Sequence, residues 1–144
     1  MRNPERWIPA FAGMTEQNTM AHKILIIEDD RFLRKIYKNK LEAEDFEVTE
    51  ATEGEEGVHK AQNELPNLIL LDLMLPRKDG FDVLTDVKKD PKTKDIPVII
   101  LTVLGQESDI KRGLDLGAVN YLIKGQTDLN QVVKVIKDTL GIKS

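Results

Sequence analysis

The chain contains no cysteine. A disulfide framework and a thiolate metal site are therefore excluded, and a reducing, cytoplasmic setting fits. The longest apolar runs, such as "LILLDLML", are far too short to span a bilayer and carry Asp72 in the middle. No excess of positive charge exists either. Twenty-one Lys and Arg against 25 Asp and Glu give a net charge of −4, which argues against a generic nucleic-acid binder. The single Trp lies in the first twenty residues, which show no helical or strand periodicity. Their apolar core between Trp7 and Ala12 is too short for a signal peptide and holds Pro9. Residues 1–19 are expected to be a disordered or mis-assigned extension, with Met20 the natural start and 20–144 the working domain. A chain of 144 residues suits one domain with a core of its own.

From Lys23 onward, apolar runs alternate with amphipathic stretches. Strands are predicted over 23–27, 46–50, 67–72, 97–102 and 119–123. Helices are predicted to follow each strand. The first carries Leu33, Ile36, Tyr37 and Leu41 at helical spacing and is capped by Asp30. The second runs from Glu55 to Asn63 after Gly54. The third spans 80–89 and ends at Asp90-Pro91. The fourth runs from Glu107 to Leu116 and stops at Gly117. The fifth runs from Asp128 to Leu140. Strands that are apolar throughout need cover on both faces. The expected fold is therefore α/β: a five-stranded parallel sheet with five helices on both faces, a flavodoxin-like doubly wound (βα)5 unit. In such sheets the ligand site lies beyond the carboxyl ends of the strands.

The residues that close the strands are the informative ones. The first strand runs into Glu28 and Asp29, the third into Asp72, the fourth into Thr102 and the fifth into Lys124. Three carboxylates, a hydroxyl and an ammonium are thus expected on one rim. Adjacent carboxylates repel one another, and a hard divalent cation such as Mg²⁺ relieves that repulsion while keeping Asp72 ionised. Lys124 can pair with the same carboxylate and Thr102 can donate to a phosphoryl oxygen. Phosphoryl transfer needs little more than such positioning and charge neutralisation.

The segments "ILIIEDD", "LILLDLMLPRKDGFDVL", "IPVIILT" and "LGAVNYLIK" together resemble the response-regulator receiver domains of two-component signalling, over residues 22 to about 142. The resemblance implies that Asp72 is the phosphoacceptor. It implies that Asp29 binds Mg²⁺ directly, with Asp72 and the backbone carbonyl of Met74, and that Glu28 acts through water. Thr102 and Lys124 would bind the phosphoryl group. Thr102 and Tyr121 would form the switch. Pro76 and Gly80 match the turn into the third helix. The implied donor is a histidine kinase or phosphotransfer protein. The implied partner surface is the face made by the fourth helix, fifth strand and fifth helix, approached past Val103, Leu104 and Tyr121. Nucleic acid and membrane are not expected partners. With only a few residues after Leu140, a stand-alone receiver that acts by contact is expected.

Two positions depart from the commonest pattern. Val103 replaces the usual small residue after the threonine and is expected to narrow access to the acceptor. Gly125 replaces a proline and keeps a tight turn available. Met74 and Leu104 are expected to flank the path of an attacking water without orienting it, so self-hydrolysis should be slow. An aspartyl phosphatase would carry an acid at position 74. A flavodoxin-like cofactor binder would not place "EDDR" after its first strand. A receiver-like docking module that takes no phosphate is the remaining alternative.

Overall fold

The computed structural model describes residues 21–143. The expectations for residues 1–19 lie outside the described residues. The chain alternates strand and helix: β1 Lys23–Ile27, α1 Arg31–Ala43, β2 Glu47–Ala51, α2 Gly54–Glu64, β3 Leu68–Leu71, α3 Gly80–Lys89, β4 Val98–Thr102, α4 Glu107–Asp115, β5 Asn120–Ile123 and α5 Leu129–Leu140. All strand pairings are parallel, in the order β2-β1-β3-β4-β5. The doubly wound α/β expectation therefore holds. No described helix is long and apolar enough to cross a membrane.

The period of two along each strand divides the core into two layers. Leu25, Ile27, Ile69, Leu71, Val98 and Ile100 pack with Val58, Ala61, Val83, Leu84 and Val87 of α2 and α3. Their strand neighbours Ile24, Ile26, Leu68, Leu70, Ile99 and Leu101 face the other way, onto Tyr37, Leu41, Val132, Val133 and Ile136 of α1 and α5. Burying one Leu or Ile side chain contributes about 1.5–3 kcal/mol. Slipping a strand by one residue would exchange the two layers, so the register is firmly set.

Helix ends follow the local chemistry. Asp30 caps α1 through Phe32 N and Leu33 N, and Asp128 closes a capping box with Gln131 on α5. Gly117 and Gly141 take positive φ after α4 and α5. The second strand begins one residue later than the apolar pattern predicts. Asp45 has φ 71°, and the Phe46 amide bonds Leu41 O as α1 ends. Phe46 thus belongs to the helix exit, and Ala51 completes the strand. The result sets Glu28, Asp72, Thr102 and Lys124 next to the carboxyl ends of β1, β3, β4 and β5, at adjacent places along one sheet edge.

Candidate functional site

The centre of the site is Lys124. Its Nζ donates to Glu28 Oε1 at 2.7 Å and to Asp72 Oδ2 at 2.9 Å. The three side chains are 11%, 4% and 5% exposed, so this is a buried pair of ionic bonds rather than a surface contact. The sequence brings the groups together because β1, β3 and β5 end at the same side of the sheet, although Lys124 and Glu28 stand 96 residues apart. The Lys124 backbone N–H also bonds Thr102 O at 2.8 Å, tying the ends of β4 and β5.

The remaining carboxylate oxygens have defined partners as well. Asp72 Oδ1 accepts from Met74 N at 3.1 Å. Glu28 Oε2 accepts from Asp30 N at 3.1 Å. Asp29 is exposed, and one of its oxygens lies with oxygens of Glu28 and Asp72 in a set within 4.8 Å of one another. Three carboxylates at this spacing suit a hard divalent cation that takes oxygen ligands. Burial raises the Glu28 carboxyl above its ordinary range; the Lys124 hydrogen bond opposes this and the Asp72 charge adds to it. Burial alone would lower the Lys124 ammonium, but its bonds to Glu28 and Asp72 outweigh that and raise it above its ordinary value.

The two residues expected to form a switch occupy different settings. Thr102 is fully buried, and among the described residues its Oγ1 has no hydrogen-bond partner. Tyr121 is half-buried, and its hydroxyl donates to Leu104 O at 2.6 Å. Burial, then the charges of Asp109 and Asp72, push its phenol up to about 12. A Cβ on Gly113 would come within 3.1 Å of the Tyr121 ring, so the bare glycine in α4 leaves the ring its place.

Val103 and Met74 are exposed, at 58% and 53%. Leu104 is partly buried and packs against the core layer of α2 and α3, and its carbonyl accepts from the Tyr121 hydroxyl. Gly125 has φ +85° and open space where a Cβ would stand, in keeping with its turn role. One contributor escaped the sequence reading. Arg34 Nη1 donates to Glu28 O at 2.9 Å and Asp29 O at 3.4 Å. The available signal was an arginine one turn into the helix that follows the acids.

Comparison with known proteins agrees with this fold. The family model described as the response regulator receiver domain matches residues 24–137. Over 102 residues the chain is 44% identical to the DNA-binding dual master transcriptional regulator RpaA of Synechocystis, covering 71% of this chain and 42% of that protein. The chain spans less than half the length of the first curated relatives it matches. Among solved structures, a CheY-like receiver domain protein of Methanospirillum hungatei superposes with TM-score 0.80 at 30% identity, covering 85% of this chain and 95% of that one. The Mn²⁺-bound response regulator Rcp1 gives TM-score 0.69 at 34% identity, covering 81% and 92%.

Proposed function

The chain belongs to the response-regulator receiver family, and from that membership we propose that it is a phosphoryl-accepting signalling switch. Receivers are signalling switches rather than turnover enzymes, and they work with histidine kinases or phosphotransfer proteins. In this chain the acceptor is Asp72. The observation that carries the reading is the Lys124 ammonium held between Glu28 and Asp72 at 2.7 and 2.9 Å, beside the Asp29 carboxylate.

In the proposed reaction an oxygen of Asp72 attacks the phosphorus of a phosphohistidine or small acyl phosphate. The P–O bond to Asp72 forms as the bond to the leaving group breaks, and the donor keeps that electron pair. Lys124 is a point charge within reach of both Asp72 and an arriving phosphoryl oxygen. Thr102, whose buried hydroxyl lacks a partner among the described residues, supplies a donor to the phosphoryl group. The carboxylates of Asp29 and Asp72 with the Met74 carbonyl would hold Mg²⁺. Both Glu28 oxygens are engaged by Lys124 and Asp30, which supports its acting through water. A metal held there would neutralise phosphoryl charge as the new bond forms. That the similar response regulator Rcp1 has a Mn²⁺-bound form supports a divalent cation in this reading.

Phosphorylation then favours the arrangement in which Thr102 moves toward the phosphoryl group and Tyr121 follows. The partner surface is the α4–β5–α5 face, where Leu114 and Val119 are exposed. The net charge of −4 favours a protein partner over nucleic acid, and a cytoplasmic setting fits the family. The test is treatment with a small acyl phosphate, with and without Mg²⁺, on the wild type and Asp72→Ala, read by intact mass. One Mg²⁺-dependent phosphoryl addition, lost in the variant, is expected. No addition under any condition would reject the reading in favour of a docking module, and Val103→Ala would show whether the exposed valine blocks access.

A further inference from the structure

Three consecutive carbonyls of the acidic turn converge on one residue. Glu28 O and Asp29 O accept from Arg34 Nη1, at 2.9 and 3.4 Å, and Asp30 O accepts from the Arg34 backbone N–H at 2.9 Å. The guanidinium is itself fixed from behind. Its Nε donates to Glu50 Oε1 at 3.0 Å, and the Arg34 side chain is only 14% exposed. Glu50 sits on the edge strand β2, where Lys38 pairs with its other oxygen at 3.1 Å and Lys60 from α2 donates to its carbonyl.

We propose that Arg34 is a positioning residue for the cation site. It does so by clamping the backbone of the Glu28–Asp30 turn to the edge strand, which fixes where the Glu28 and Asp29 carboxylates stand. The inference rests on the functional reading above. Its physical basis is that a carbonyl and its own side chain leave the same backbone segment. With the carbonyls of 28 and 29 drawn to the guanidinium, and that of 30 held by the first backbone hydrogen bond of α1, rotation of the turn is restrained and the spacing of the carboxylates is held. The Glu28 carboxylate adds a second tie by accepting from Asp30 N at 3.1 Å. A guanidinium can do this because its fork is rigid and offers several donors; a lysine ammonium on a flexible stem cannot face Glu50 and two carbonyls in the same geometry. Outer groups that orient ligands typically cost ten- to hundredfold in metal affinity when removed.

The experiment is Mg²⁺ titration calorimetry on the full chain, with urea midpoints measured alongside. Wild type, Arg34→Lys, Arg34→Ala, Glu50→Gln and Lys38→Ala are compared, with Asp29→Asn as the control for the site itself. Arg34→Lys and Arg34→Ala should weaken Mg²⁺ binding by about tenfold or more, without rescue by lysine. Glu50→Gln should weaken it less, because the clamp loses its anchor and not its donors. Lys38→Ala touches the same glutamate but not the turn and should leave Mg²⁺ affinity unchanged. Affinity within about twofold of wild type in the folded Arg34 variants would overturn the proposal, and so would an equal loss in Lys38→Ala. Should Arg34→Ala not fold, Arg34→Lys and Glu50→Gln decide. A wild type that binds no Mg²⁺ would reject the functional reading instead. Amide hydrogen exchange at Asp30 and Leu33, expected to speed up in Arg34→Lys, would then decide the clamp, with unchanged exchange overturning it.

Discussion

Replacing Lys124 by Met removes a cation that two buried carboxylates share. The side chain is 11% exposed, and its partners Glu28 and Asp72 are 4% and 5% exposed. Breaking a buried ion pair from one side typically costs about 3–5 kcal/mol, because the charge left behind is unpaired. Two carboxylates are left here, but the site opens at the sheet edge and the exposed Asp29 shows that water reaches it. The lower end, about 3 kcal/mol, is therefore expected for metal-free protein. At a urea slope of about 1.5 kcal/mol per molar, the midpoint falls by about 2 M. Methionine keeps most of the apolar stem, so the loss is of charge rather than packing. Mg²⁺ should then matter more to the variant than to the wild type. In the wild type the cation must share Glu28 and Asp72 with an ammonium; in Lys124→Met it meets the full negative charge. Binding at least tenfold tighter is expected, about 1.4 kcal/mol. The assay is urea unfolding followed by far-ultraviolet circular dichroism, in chelator and in saturating Mg²⁺. An equal Mg²⁺ increment in the two proteins would refute the idea that lysine and metal compete for one charge cluster. A metal-free loss below about 1 kcal/mol would place Lys124 among ordinary surface pairs.

Other outcomes follow from single residues. Leu65 holds φ 47° at the end of α2 while 54% exposed, so Leu65→Asn should stabilise by about 0.5 kcal/mol in thermal or urea melts, and destabilisation would count against the strain. Met74 is exposed two residues after Asp72 and its amide donates to Asp72 Oδ1, so Met74→Asn alone should speed loss of the phosphoryl group proposed for Asp72 in a mass-resolved time course; an unchanged rate would mean that water needs no orienting group at that place. Burial raises both tyrosines, Tyr121 to about 12 from 10.0, so the folded state keeps its phenolic protons where the unfolded chain begins to lose them. Stability should therefore fall as pH rises above 10 toward 12, with tyrosinate absorbance appearing together with unfolding; absorbance rising near pH 10 in folded protein would contradict this.

Much of this architecture is legible in the sequence because the determining signals are local. The runs at 24–27, 68–71 and 98–102 are apolar at every position before the closing polar residue, which is what a parallel strand covered on both faces requires. Asp30, Asp79 and Asp128 stand at helix starts and cap them. The reading slipped where two elements compete for one residue. Phe46 continues the apolar alternation of β2, yet its amide is taken by Leu41 O as α1 ends. Arg34 was invisible for another reason. An arginine on an amphipathic helix reads as a solvated charge, and only the three-dimensional return of the turn brings Glu28 O and Asp29 O to it. Non-local pairing likewise decides that Lys124 bonds Glu28 as well as Asp72.

The same pairing explains why a strand can end in a knot of negative charge. Three carboxylates against one ammonium leave the site two negative charges in excess. That excess is tolerable because it is partitioned. Glu28 is buried and held by Lys124 and the Asp30 amide, Asp72 is held by Lys124 and the Met74 amide, and Asp29 faces solvent. A divalent cation would cancel the remainder, whereas a monovalent one would leave the site charged. The arrangement thus favours a charge of two on energetic grounds before coordination geometry is considered. An arriving phosphoryl group would restore negative charge at Asp72, and the mobile part of the balance is Lys124, whose flexible stem can turn from carboxylate to phosphoryl oxygen without leaving the site. Arg34, by contrast, is bound on both sides of its guanidinium and so stays with the turn. With one cation fixed behind the acids and one paired in front of them, the same residues stabilise the resting fold and, in the proposed function, would accept the phosphoryl charge.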